Sequence, residues 1–253
     1  MNKIKAIREI RTKMGQGKCT IGSWMQIPHG SVAEIMGAAG YDWVAVDMEH
    51  GSVSVAQLPN LFRALELGNT LPLVRVAEGA ARDCQQALDA GAGGIIVPNI
   101  QSADHLIAVR DACRWPPAGT RGVGFSRANL FGKNFEVYRE EAQEPLLVAM
   151  IEHTRAVDNL EKILSVEGLD AILIGPYDLS ASIGATAQFE ESKFIATIER
   201  IRTLCGKENI PCGVHVVMPG TDTLKQRIKE GYRFIAYSID AVFLDTAASS
   251  PKL

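Results

Sequence analysis

The stretch VAVDMEHG, residues 44–51, ends an apolar run with two carboxylates and an imidazole. Asp47, Glu49 and His50 are costly to bury unpaired, and ordinary punctuation between elements uses Gly, Pro, Asn or Asp. Groups able to do chemistry follow other apolar runs as well. Arg75 follows PLV, Asn99 follows GIIVP, Glu152 follows LLVAMI, Asp178 ends ILIGPYD and His215 sits in GVHV. Glu152 and Asp178 would make a sparse all-oxygen site with open positions. Such a site suits Mg²⁺ or Mn²⁺ holding water and substrate oxygens. Asp178 alone also reads as a cap for the next helix. Two absences narrow the chemistry. No strand end carries a Lys for a Schiff base, and no nucleophile elbow serves Ser-His-Asp hydrolysis.

These residues need elements to bring them together. Eight short β-rich runs begin at Thr20, Trp43, Pro72, Gly94, Leu146, Ala171, Cys212 and Phe234. Helical patterns lie between most of them, such as SVAQLPNLFRALELGN, ARDCQQALDAG and FIATIERIRTLCGKEN. Each ends at Gly or Asn, as a helix C-terminus should. Alternating strand and helix implies a parallel sheet. Eight such units in 253 residues predict an α/β fold of the (β/α)₈ TIM-barrel type, one domain over residues 1–253. An open doubly wound sheet would want a Gly-rich phosphate turn after its first strand, and GSWMQIPHGS is not one.

In such barrels chemistry sits at the C-terminal strand ends, so the residues above should converge there. Side chains alternate along a strand, which puts Asp47 on one face with Ala45, and Glu152 with Met150 and Val148. Ile4, Ile7, Ile10 and Met14 fall at helical spacing and predict an amphipathic first helix over one end of the fold. The connection WPPAGTRGVGFSRANLFGKNF, from Trp115 to Phe135, is long for a compact domain. Its aromatics point to an ordered active-site loop.

Composition excludes other classes. A net charge of -3 and a pI near 6.0 offer no basic surface for nucleic acid or an anionic membrane. The five cysteines are odd in number and form no CxxC pair, which points to a reduced, cytoplasmic protein. The N-terminus lacks the apolar core of a signal peptide. No apolar run approaches the roughly 20 residues that span a bilayer.

The motifs DMEHG, VRV, LDAGAGGIIVP, PPAGTRGVG, MIEHTRAVDNLEKI and GLDAILIGPYDLSASIG occur in that order. Together they resemble the metal-dependent class II pyruvate aldolases of the HpcH/HpaI type, a group that includes 4-hydroxy-2-oxoheptanedioate and 2-dehydro-3-deoxyglucarate aldolases. The resemblance runs from about Gly22 to the C-terminus. It implies reversible cleavage of a 4-hydroxy-2-oxo acid to pyruvate and an aldehyde through an enolate, with Mg, Mn or Co as cofactor. Glu152 and Asp178 match the metal ligands, and His50 the catalytic base, oriented by Asp47. Arg75 matches the group that stabilises the enolate. Main-chain groups around Gly175, Tyr177 and Asp178 match the pyruvate carboxylate site. Asp89, in LDAG, matches a carboxylate that raises the basicity of the His. It lies at the wrong end of its own barrel, so it would act on a neighbour in a homohexamer, a trimer of dimers. The C-terminal helix is a candidate for exchange with a neighbouring subunit.

The chain also departs from the family. Met150 stands where better-known members carry Gln, which removes a hydrogen bond to the 2-oxo acid. His153 stands in place of Thr and reads as a helix start. His215 stands where relatives have an aliphatic residue. It either faces the mouth, favouring polar or acidic aldehydes, or packs in the barrel against a backbone carbonyl. The rival functions are citrate-synthase-like condensation or oxaloacetate decarboxylation on the same barrel, and a non-catalytic binding protein.

Overall fold

The computed structural model describes residues 1–248 and 250. Its strands are β1 Thr20–Met25, β2 Trp43–Asp47, β3 Leu71–Arg75, β4 Gly94–Val97, β5 Leu146–Ile151, β6 Ala171–Ile174, β7 Cys212–Val216 and β8 Phe234–Ile239. They close in sequence order into one parallel barrel, with β8 pairing back on β1. Every predicted run became a strand, because each is a short β-rich apolar segment bounded by turn residues.

The helices, in chain order, are α1 Lys3–Gly15, α2 Gly30–Ala38, α3 Leu58–Leu67, α4 Ala81–Ala90, α5 Ala103–Cys113 and α6 Phe135–Glu141. They continue with α7 Thr154–Asp158, α8 Leu160–Leu164, α9 Pro176–Ile183, α10 Ser192–Glu208, α11 Thr221–Lys229 and α12 Asp240–Ala247.

Alternation along each strand sorts the core into two layers. Val44, Val46, Val74, Ile95, Val214 and Val216 pack outward against the helices. Trp43, Ala45, Leu73, Val148, Met150 and Phe234 fill the barrel. Trp43 stacks on Phe234 with ring centroids 4.3 Å apart. The ring takes the space a side chain on β1 would need: a Cβ at Gly22 would lie 2.0 Å from it. Helix α1 closes the N-terminal end, with Ile7, Ile10 and Met14 joining the inner layer. Arg11 ties that helix down by donating to Asp170 and Glu144. A closed floor and a filled interior leave the opposite end as the open face.

The long connection is ordered, as its aromatics predict. Trp115 packs on Phe135 and Tyr138, each with centroids 5.2 Å away. Arg121 is buried beside those rings and donates to the Tyr138 hydroxyl. Arg127 reaches the Ala90 carbonyl at the end of α4. The segment therefore lies along the outside of the barrel, where these anchors hold it. It does not line the mouth of its own barrel, contrary to the active-site expectation.

Candidate active site

A cavity of about 390 Å³ opens at the C-terminal strand ends. His50, Arg75, Met150, Gly175, Asp178 and His215 are among the residues that line it. Glu152 follows β5 directly beneath the Gly175 backbone, where a Cβ would come within 2.6 Å of Glu152 Oε2. Among the described residues, no group of three or more His, Cys, Asp and Glu is spaced to hold a metal ion.

Asp47 is fully buried at the end of β2. Strand register sets Arg75 beside it on β3. The guanidinium clasps the carboxylate through Nε at 2.9 Å and Nη2 at 2.6 Å, the fork geometry that makes such pairs strong. Gln26, just past β1, donates to Asp47 Oδ2 at 2.9 Å. The main-chain N–H groups of Glu49 and His50 donate to Oδ1 at 3.1 and 3.2 Å. Burial opposes the charge on Asp47, but Arg75 and these donors hold its carboxyl below the usual range. All five hydrogen bonds fall on the two oxygens, so Asp47 fixes the His50 main chain. It makes no bond to the exposed His50 imidazole. Asp47 therefore bonds to His50 only through the backbone of the turn.

Arg75 lies 4.5 Å above the Trp24 ring. Asp47 occupies its Nε and Nη2, which leaves Nη1 toward the cavity. That nitrogen is 3.0 Å from Glu49 Oε2 and 3.9 Å from the Met150 sulfur. Where a Gln would offer an amide, Met150 offers only a weak acceptor. Glu49 is half-buried, and burial raises its carboxyl despite the Arg75 and His50 charges nearby.

Glu152 is 7% exposed. Its Oε1 accepts a short hydrogen bond from the Asn99 N–H. Burial pushes its carboxyl up to about 7 against that bond, and the Glu49 and Asp178 charges push the same way. No cation pairs with Glu152 through a salt bridge among the described residues. An under-compensated carboxylate within the field of a second carboxylate is the donor set a hard divalent cation takes. Glu152 and Asp178 fit such a cation, with the remaining positions left to water and substrate.

Helix α9 starts at Pro176, with Gly175 as its N-cap and Asp178 in its first turn. The N–H groups of a first turn have no partners within the helix and attract anions. Tyr177 is 51% exposed, its ring edge-on to Phe189. His153 caps α7, accepting from the Arg155 N–H at 3.0 Å, as a helix-start residue should.

Asp89 stands apart from this group. It faces a surface hollow lined by Gln85, Gln86, Arg127 and Phe131. Burial raises its carboxyl against the opposing pull of Arg121 and a Gln85 hydrogen bond. Within one chain it does not meet His50. Gln26, Trp24 and the Asn99 main chain were not singled out for roles from sequence. Gln26 follows β1 as Asp47 ends β2, so the strand-end rule would have found it. Nothing in the sequence marks Trp24 as the surface under Arg75.

The model of the HpcH/HpaI aldolase/citrate lyase family matches residues 20–246. The chain belongs to that family of metal-dependent aldolases and lyases, and it is a carbon–carbon lyase. It is 32% identical to the hydroxypyruvate/pyruvate aldolase of Roseobacter denitrificans, over 96% of this chain and 95% of that one. It is 35% identical to the 2-keto-3-deoxy-L-rhamnonate aldolase of Shigella boydii, over 94% and 89%. A crystal structure of a family protein from Burkholderia cenocepacia superposes with a TM-score of 0.88 at 28% identity, covering 95% of this chain and 96% of that one.

Proposed function

We propose that the barrel mouth cleaves a 4-hydroxy-2-oxo acid reversibly into pyruvate and an aldehyde. The observation that carries this reading is Glu152, a buried carboxylate without a salt-bridge cation, pressed on Gly175 and raised further by the Asp178 charge. Names of relatives that include pyruvate and a 2-keto-3-deoxy acid support the substrate class.

Glu152 and Asp178 would hold Mg²⁺, Mn²⁺ or Co²⁺, which supplies a Lewis acid to the 2-oxo group when bound. The Tyr177 and Asp178 N–H groups at the start of α9 bind the substrate carboxylate. Arg75 Nη1 donates to the oxygen on which enolate charge develops. Its other nitrogens stay on Asp47, so the guanidinium needs no reorganisation during reaction. His50 takes the proton from the aldol hydroxyl in cleavage and returns it in condensation. Asp47 keeps the His50 turn in place.

The same reading includes assembly. Asp89 serves the His50 of a neighbouring subunit in a homohexamer, and α12 packs on a neighbour. Only Asp240 of α12 is buried on its own barrel, and Leu244 is 58% exposed. Val123, Phe125 and Phe131 of the long connection are exposed apolar groups, and Phe131 lines the Asp89 hollow. The proposed location is cytoplasmic, in keeping with five free thiols. No described helix is long and apolar enough to cross a membrane.

Pyruvate release from 4-hydroxy-2-oxo acids tests the proposal. Chelation with EDTA should stop it and Mn²⁺ should restore it. Full turnover after rigorous chelation contradicts the metal-dependent reading. Turnover of oxaloacetate alone favours decarboxylation on the same barrel.

A further inference from the structure

His215 occupies the inward-facing position near the end of β7. Its neighbours Val214 and Val216 pack outward, and its ring lines the mouth cavity with Arg75, Gly175 and Asp178. The ring meets Trp24 edge-on, with centroids 6.0 Å apart, and Trp24 supports the Arg75 guanidinium. Leu173, Val217 and Ile239 make this part of the wall apolar. The ring therefore stands in the wall of the mouth, beside a backbone carbonyl.

That carbonyl belongs to Ser238. Nε2 is buried and has no partner, so the bond to Ser238 falls to Nδ1. A hydrogen bond at one ring nitrogen sets the tautomer. With Nδ1 protonated, Nε2 of the neutral ring is a pure acceptor. Burial keeps the ring neutral, pulling the imidazole down to about 4. An unpaired buried acceptor is costly, and a donor group entering the cavity would relieve it. The imidazole χ2 torsion has a broad well, so a modest tilt turns the Nε2 lone pair into the cavity.

We propose that His215 determines the aldehyde specificity of this enzyme, its Nε2 accepting a hydrogen bond from a hydroxyl group on the aldehyde half of the substrate. The enzyme then takes a hydroxyaldehyde in preference to an aliphatic one. It also disfavours a carboxylated aldehyde, because a neutral acceptor offers a carboxylate nothing. This narrows the sequence expectation, which admitted acidic aldehydes. The inference rests on the aldolase reading of the mouth and adds the chemistry of the second substrate.

The test is kcat/KM for condensation of pyruvate, with Mn²⁺, onto glycolaldehyde, acetaldehyde and glyoxylate. The parent should favour glycolaldehyde over both others. His215→Leu should lower the glycolaldehyde-to-acetaldehyde ratio about tenfold or more, as expected for a lost buried hydrogen bond. His215→Gln, which keeps an acceptor, should recover part of that ratio. A parent that uses acetaldehyde as well as glycolaldehyde overturns the proposal even if no variant folds. So does a His215→Leu protein in which both aldehydes fall in equal proportion, since that is a packing role. If the parent neither condenses any aldehyde nor exchanges pyruvate methyl protons, the aldolase reading itself fails. Proton exchange with the opposite aldehyde preference overturns the His215 assignment alone.

Discussion

Glu152 joins stability to chemistry at a single carboxyl. Its folded pKa, about 7, lies above the ordinary 4.5. Such a group favours the fold fully below pH 4.5, and that contribution is lost as pH rises through 7. In metal-free protein, Glu152→Gln should therefore raise stability above pH 7 by up to ~3 kcal/mol, and make little difference near pH 4. Thermal unfolding in EDTA at pH 8 and pH 4.5 reads this directly. Equal unfolding temperatures for parent and variant at pH 8 contradict the burial account of Glu152. The same substitution should abolish metal-dependent turnover. Asp47 runs the other way, since Arg75 holds its charge in place. Asp47→Asn leaves a buried guanidinium poorly paired and should cost roughly 3–5 kcal/mol, measurable by denaturant titration. The residue types were legible because groups that are costly to bury stand at the ends of apolar runs. Their pairings were not. That Asp47 binds Arg75 and Gln26, leaving the imidazole of His50 alone, depends on register among β1, β2 and β3, which spacing along one strand does not encode.

The junction of β6 and α9 is where element geometry makes the site. Gly175 ends one element and caps the other, and lies against Glu152. Gly175→Ala should displace the Glu152 carboxylate and weaken Mn²⁺ binding at least tenfold, while the barrel still folds. Isothermal titration with Mn²⁺ checks the affinity, and circular dichroism checks the fold. Unchanged affinity removes Gly175 from the account. Strands and the capping first helix were readable because periodicity and turn residues are local signals. The long connection was readable as ordered from its aromatics. Its course was not, because Arg127 finds the Ala90 carbonyl only once α4 is in place.

The whole molecule brings His50, Arg75, Met150, Gly175, Tyr177, Asp178 and His215 to the lining of one mouth, with Asp47, Glu49 and Glu152 against them, and leaves Asp89 on the outside. If Asp89 completes a neighbour's site, Asp89→Asn and His50→Ala chains are each inactive alone and recover activity when mixed. Hybrid oligomers then contain sites with both residues intact. No recovery after verified subunit exchange separates Asp89 from catalysis. The barrel itself was legible from eight alternating units, whereas an intersubunit arrangement leaves only a stranded carboxylate and exposed apolar side chains as traces. Under the proposed function, this mouth enolises pyruvate with the help of a divalent cation. Proton NMR of pyruvate in D₂O, with the protein and no aldehyde, measures that step alone. Loss of the methyl signal with Mg²⁺ present, abolished by EDTA and by Glu152→Gln, is the result expected; methyl protons that persist with the cation present, or that exchange equally fast without it, contradict the account.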